Sequence, residues 1–156
     1  METPLRILDV LEAGFRGRGP SPGCRPGRAA RKEITVTEPS PVRIELLCIP
    51  DTFDDEAQRV LGRVAALVQS SRRHVWGTGQ LSNGAHDIFR DLHDPYERVN
   101  ILCAYLDDRL VGRAEVRMPL IADTDMAQIV VDVAPDETSE GIGRALLSAA
   151  EQLARG

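Results

Sequence analysis

Two runs dense in strand-forming residues, 100–106 and 110–118, the second alternating apolar with polar, stand back to back across the short polar link Asp107-Asp108-Arg109. Period-two alternation sends successive side chains to opposite faces of a strand, and so short a link leaves two strands only the antiparallel pairing of a hairpin. A third run, 126–134, follows a turn at 119–125. It is rich in Ile and Val, sets Ala127, Ile129, Val131 and Val133 on one face, and ends at Pro135. Three strands joined by short links predict an antiparallel meander with one buried face. A helix anywhere in 110–118 is incompatible with that expectation.

The flanking segments supply the rest of the layers. Val42, Ile44, Leu46 and Cys48 alternate over 42–49 before Pro50, which predicts a further strand beside 100–106. Thr52-x-x-Asp55 has the form of a capping box, and Ala57, Val60, Leu61, Val64, Ala65 and Val68 recur at helical spacing, so an amphipathic helix is expected over 54–73. The two glycines of 76–83 read as a loop, and 86–92 as a short second helix closed by Asp94-Pro95. After the last strand, Ile142, Leu146, Ala149, Ala150 and Leu153 mark one face of a final helix. The fold class is α+β (or α/β), a mostly antiparallel mixed sheet with flanking helices.

Charge divides the chain of 156 residues. Residues 1–35 hold seven basic side chains (Arg6, Arg16, Arg18, Arg25, Arg28, Arg31, Lys32) against four acids (Glu2, Asp9, Glu12, Glu33), a net +3 that leaves −8 for the rest of a chain whose total is −5. This Gly/Pro/Arg-rich stretch has no helical or strand period and too little apolar surface to offset the entropy of ordering, so 1–35 is expected to be a disordered basic leader and 42–156 the folded domain. Lys32 is the sole lysine among 19 basic residues, a skew that points to a G+C-rich gene. Lys32-Glu33 back-translates to a ribosome-binding sequence and Val36 to a GTG start, so translation from Val36 is an expectation, with 1–35 not native. The negative total argues against nucleic-acid binding. No apolar run approaches the ~18–20 residues of a membrane span, and the opening segment lacks the apolar core of a signal peptide. The three scattered cysteines, Cys24, Cys48 and Cys103, form neither a disulfide framework nor metal-ligand spacing, which places the chain in a reducing cytoplasm.

The chemistry gathers at the last strand–loop–helix junction. Val130-Val131-Asp132-Val133-Ala134-Pro135 runs into Asp136-Glu137-Thr138-Ser139-Glu140-Gly141-Ile142-Gly143-Arg144. A helix that starts in a glycine-containing loop presents unpaired N–H groups and the positive end of its dipole, and glycine lets a phosphate approach the backbone. The run is neither a P-loop nor a dinucleotide fingerprint. It is either an anion site or a plain helix start with Glu140 and Arg144 as an i,i+4 pair.

The stretch VVDVAPDETSEGIGRALLSAAEQLA resembles the acyl-CoA motif of the GNAT superfamily of N-acetyltransferases, and the hairpin AYLDDRLVGRAEVRMPL, with Val111-Gly112, resembles the strands before it. The resemblance covers about 42–156, and DPYERVNILCAYLDDRLVGRAEV is most similar to the first half of tandem GNAT proteins. It implies acetyl transfer from acetyl-CoA, the co-substrate, to a primary amine of a small molecule or peptide. Pantetheine would pair with the strand through Val131, Asp132 and Val133, and the pyrophosphate would meet the amides of Ser139, Glu140, Gly141, Ile142, Gly143 and Arg144. The acetyl carbonyl would lie near the Val131 N–H. The family's Gln or Arg at the start of the loop is Thr138 here, and Asp136, Glu137 and Glu140 stand where basic residues are common. The family's sheet continues beyond this helix, so the resemblance also implies a partial domain with one wall of the cofactor groove, no Tyr general acid and weak acetyl-CoA binding. The open sheet edge would favour self-association or pairing with a second GNAT domain. The alternatives are an inactive binding or structural domain and a truncated gene product.

Asp132 is the candidate general base, with Glu115 and Asp125 as weaker ones. Trp76 and Tyr96 are candidates for an acceptor pocket or for packing anchors. His74, His86 and His93 lack the partners of a metal set, Cys103 belongs to the core, and Ser139 has no nucleophile setting.

Overall fold

The computed structural model describes residues 33–35, 42–78, 80, 82–138 and 140–156. The expectations for residues 1–32, the start at Val36 and the role of Ser139 lie outside the described residues. The sheet has five strands in the order β1 (Glu33–Thr35), β2 (Val42–Leu46), β3 (Glu97–Leu106), β4 (Arg109–Pro119) and β5 (Gln128–Val133), every neighbouring pair antiparallel. Beside it lie α1 (Asp55–Trp76), α2 (Ala85–Leu92), a 3-10 turn at Pro135–Glu137 and α3 (Ile142–Arg155). The meander and the pairing of β2 with β3 are as the alternation predicts, and no helix interrupts 110–118. The sheet reaches three residues into the segment expected to lie outside the fold, because Glu33–Thr35 pairs with Glu45–Arg43.

Several boundaries shift for local reasons. β2 stops at Leu46; Leu47 N–H still donates to the Ile101 carbonyl (2.8 Å), and the chain then turns toward α1 through Pro50, which has no N–H for a further bond. The cap of α1 is Asp54, not Thr52: its carboxylate accepts from the Ala57 N–H at 2.9 Å. The helix runs on to Trp76 and ends at Gly77, whose φ of 73° turns its N–H back onto the Arg73 carbonyl. β3 and β4 are longer than expected, joined by two residues, with Asp107 at φ 52° in the left-handed region that Asp tolerates. The register passes from Ala104↔Gly112 to Tyr105↔Leu110, so Val111 is the extra residue of a bulge. β5 is shorter than 126–134, since Met126 is drawn into a turn by its bond to the Asp123 carbonyl.

The sheet separates two cores. On one face α3 buries the five residues its periodicity singled out, Ile142, Leu146, Ala149, Ala150 and Leu153, against Val42, Ile44, Leu102, Ala104, Ala114 and Val116. On the other face Leu61 and Val64 of α1 and Ala85 and Ile88 of α2 close over Ile101 and Cys103. Cys103 is a core residue, as expected: burial first of all pushes its thiol up to about 12, too high for a nucleophile. Gly112 is required at the contact of β4 with α3, because a Cβ there would lie 2.8 Å from Leu146 Cδ1 and 3.2 Å from Ile142 Cγ2.

Candidate active site

The edge of β5 follows from its register. Ala134 N–H donates to the Val111 carbonyl at 2.8 Å, and Val133 pairs with Gly112, Val131 with Ala114. In an antiparallel ladder, residues alternate between bonding toward the partner and pointing away. Asp132 and Val130 therefore bond toward β4, while Ile129, Val131 and Val133 turn their N–H and C=O groups to the far edge. No other strand among the described residues covers that edge. Asp132, grouped with Val131 and Val133 by sequence, faces the opposite way along its backbone.

The loop delivers a second set of donors just beyond this edge. Gly141 has φ 76°, a conformation that favours glycine, and nothing lies within 4 Å of a Cβ built on it. The first bond of α3 is Ala145 N–H to the Gly141 carbonyl, so the N–H groups of Ile142, Gly143 and Arg144 have no helical acceptor. Gly143 sits over β5, 3.5 Å from Val133 Cγ2 measured from an added Cβ, so helix start and strand edge adjoin. Arg144 is exposed and, among the described residues, makes no ion pair with Glu140. It is the third residue of α3, within the first turn whose N–H groups have no helical acceptor.

On the sheet face away from α3 the structure assembles a charge ladder that sequence inspection missed. Asp132 accepts from Arg113 Nε at 3.0 Å; Arg113 Nη1 donates to Glu115 at 2.5 Å; Arg117 donates to Glu115 at 2.7 Å, to Glu97 at 3.1 Å and to Asp91 of α2 at 2.6 Å. The side chains of Arg113, Asp132 and Glu115 are only 4%, 9% and 12% exposed. Asp132 is thus neither a free base nor a solvated strand residue, because its carboxylate is buried and bonded to a guanidinium. Burial raises the Glu115 pKa, but Arg113 and Arg117 outweigh it and hold that carboxyl below its ordinary 4.5. Its stabilising contribution is complete above that unfolded value and is lost as pH falls through the lower folded one. Glu115→Gln is therefore expected to lose about 1–3 kcal/mol at about pH 7 and to converge on the parent as pH falls below the folded value, read by urea unfolding across an acid series.

The remaining candidates lie apart from this junction. Asp125 is exposed in the β4–β5 turn. Trp76 and Tyr96 are 76% and 64% exposed, one at the end of α1 and one just before β3, so they do not anchor packing. His86 packs edge-on against Phe53, and His93 lies on Phe89 with its Nδ1 2.9 Å from the Phe89 carbonyl. Among the described residues no three His, Cys, Asp or Glu side chains gather as a metal site, and no helix is long and apolar enough to cross a membrane.

A helix start beside an antiparallel sheet edge completes this α+β domain. Residues 61–156 match the acetyltransferase (GNAT) family, and the chain belongs to that family. Its fold is similar to the GNAT domain of S. lividans PAT, with a TM-score of 0.56 at 17% identity over 80% of this chain and 72% of that one. It is also similar to an aminoglycoside acetyltransferase from an uncultured soil metagenomic sample, solved with trehalose, with a TM-score of 0.50 at 17% identity over 73% and 70% of the two chains. An N-acetyltransferase of Thermoplasma acidophilum, solved with coenzyme A, aligns with a TM-score of 0.45 at 19% identity over 72% of each chain. No curated protein matches the chain.

Proposed function

We propose that this chain binds acetyl-CoA along the far edge of β5 and at the start of α3, and that it serves transfer of the acetyl group to a primary amine. The observation that carries the proposal is the junction itself: the strand whose Val131 and Val133 turn N–H and C=O groups outward adjoins, at Val133 and Gly143, the helix start where the amides of Ile142, Gly143 and Arg144 have no helical acceptor. Pantetheine amides would pair with the strand, and the pyrophosphate would take the helix amides and Arg144. The Val131 N–H would donate to the acetyl carbonyl as it gains negative charge. The neutral amine attacks that carbon, a C–N bond forms, the C–S bond breaks, and CoA leaves as a thiolate. The amine proton passes to water, since Asp132 is already held by Arg113.

Titration of the isotope-labelled chain with acetyl-CoA tests this and reads weak binding as well as strong. The Gly143 amide resonance should shift, with those of Ile142 and Arg144, and Gly141→Glu, which adds a Cβ at positive φ and a negative charge, should abolish these shifts. Unmoved amide resonances at millimolar ligand would refute the assignment. A second reading, binding without turnover, is favoured by the same held Asp132, the sole carboxylate of β5. Release of free CoA with a panel of amines separates the two. A strand from a second GNAT domain or a second copy would use the same edge groups, so strand pairing and acetyl-CoA are mutually exclusive occupants of β5.

A further inference from the structure

The loop before α3 carries three acids, Asp136, Glu137 and Glu140, beside the proposed pyrophosphate position. Left free, they would repel a phosphate and compete for the amides. Two of them are not free. Arg109, at the start of β4, donates through Nη1 to Asp136 at 2.8 Å and through Nη2 to Glu137. The guanidinium thus spans from the β3–β4 hairpin to the 3-10 turn, 27 and 28 residues away in sequence. The turn it grips in turn carries the loop: the Glu137 carbonyl accepts from Glu140 N–H at 3.4 Å, and Thr138 Oγ1 donates to the Pro135 carbonyl at 3.4 Å.

We infer that Arg109 is a positioning residue that makes this acidic loop compatible with a phosphate-bearing ligand, by neutralising Asp136 and Glu137 and turning both carboxylates toward the hairpin. The inference rests on the acetyl-CoA assignment above. Arg109 need not touch the ligand. With Arg109 and Arg144 counted against the three acids, the local charge is −1; without Arg109 it is −2. The bond to Arg109 also holds the Asp136 carboxyl below its ordinary range, so the pair stays ionised at neutral pH. Neither group is buried, so the effect is electrostatic and screened by salt.

Neutralisation and mere clamping make opposite predictions for the acids. If Arg109 acts by cancelling charge, Arg109→Met weakens acetyl-CoA binding roughly two- to fivefold at low salt. Asp136→Asn with Glu137→Gln then leaves binding equal or tighter, and adding both to Arg109→Met restores it. Arg109→Lys retains most of the affinity, and the deficit of Arg109→Met shrinks as salt rises. Acetyl-pantetheine, which lacks the pyrophosphate, should bind the parent and Arg109→Met alike. If Arg109 only clamps the turn, the Asp136/Glu137 double substitution breaks the same clamp and weakens binding as much as Arg109→Met; that result overturns the inference, as does an equal loss for acetyl-pantetheine. Undiminished binding by Arg109→Met overturns it alone, whereas no binding by the parent chain overturns the acetyl-CoA assignment and this inference together. The sign of the acid substitutions decides the matter even should Arg109→Met not fold.

Discussion

Replacing Arg113 with methionine is expected to destabilise the domain by about 3–5 kcal/mol, a large share of the ~5–15 kcal/mol that holds a domain of this size together. The guanidinium is 4% exposed and bonds two carboxylates on adjacent strands, Asp132 of β5 and Glu115 of β4. Glu115 keeps Arg117 when Arg113 is gone, but among the described residues Asp132 shows no second side-chain partner and stays buried. The cost comes from that orphaned charge more than from the lost attraction, since the intact pair is offset by the desolvation of its own members. Adding Asp132→Leu should therefore recover most of the loss. Urea unfolding of the two variants checks both statements, and an Arg113→Met variant within about 1 kcal/mol of the parent would refute the first.

The second large effect lies on the opposite face. Leu146 is fully buried, and its Cδ1 occupies the space that a side chain at position 112 would take. Leu146→Ala is expected to cost about 2–5 kcal/mol through lost burial and the cavity left between α3 and β4. Gly112→Ala alone is an overpacking change, expected to cost about 1–3 kcal/mol. The two should not add. In the Leu146→Ala background the 2.8 Å clash is gone and the new methyl fills part of the void, so the double variant should be at least about 1 kcal/mol more stable than the sum of the singles predicts. Strict additivity in thermal or urea unfolding would show that α3 is not seated on Gly112.

How far the sequence reveals these features depends on which forces act locally. The buried stripe of α3 is legible because five apolar residues recur at helical spacing, and a helix has only one way to hide them. The hairpin is legible because its link is too short for any other path. The strand edge used for the proposed cofactor is half legible: alternation marks the strand, but which N–H groups turn outward depends on the register with β4 and the bulge at Val111. The charge ladder is not legible. Arg113, Glu115 and Arg117 alternate with apolar residues, the pattern of a solvated strand face, and only the helices laid over that face bury them. Arg109 and its acids are likewise separate in sequence, so the acidic loop looks hostile to phosphate until the hairpin is folded beside it. Thr52 misleads for a smaller reason: Thr52, Asp54 and Asp55 all offer capping oxygens, and the local turn selects Asp54.

The order of the strands has one consequence for how the chain reaches this structure. β3, β4 and β5 follow one another across short links, and α3 comes directly after, so each of these elements can settle on a neighbour already beside it. β2 is different, because both α1 and α2 intervene before β3. Closure entropy rises by about 0.6 kcal/mol for each doubling of the loop, so the largest single ordering cost in the sheet falls on the pairing of β2 with β3. The half of the domain that carries the proposed cofactor junction is thus assembled from local pairings, and the long-range search is confined to the far side of β3 from it.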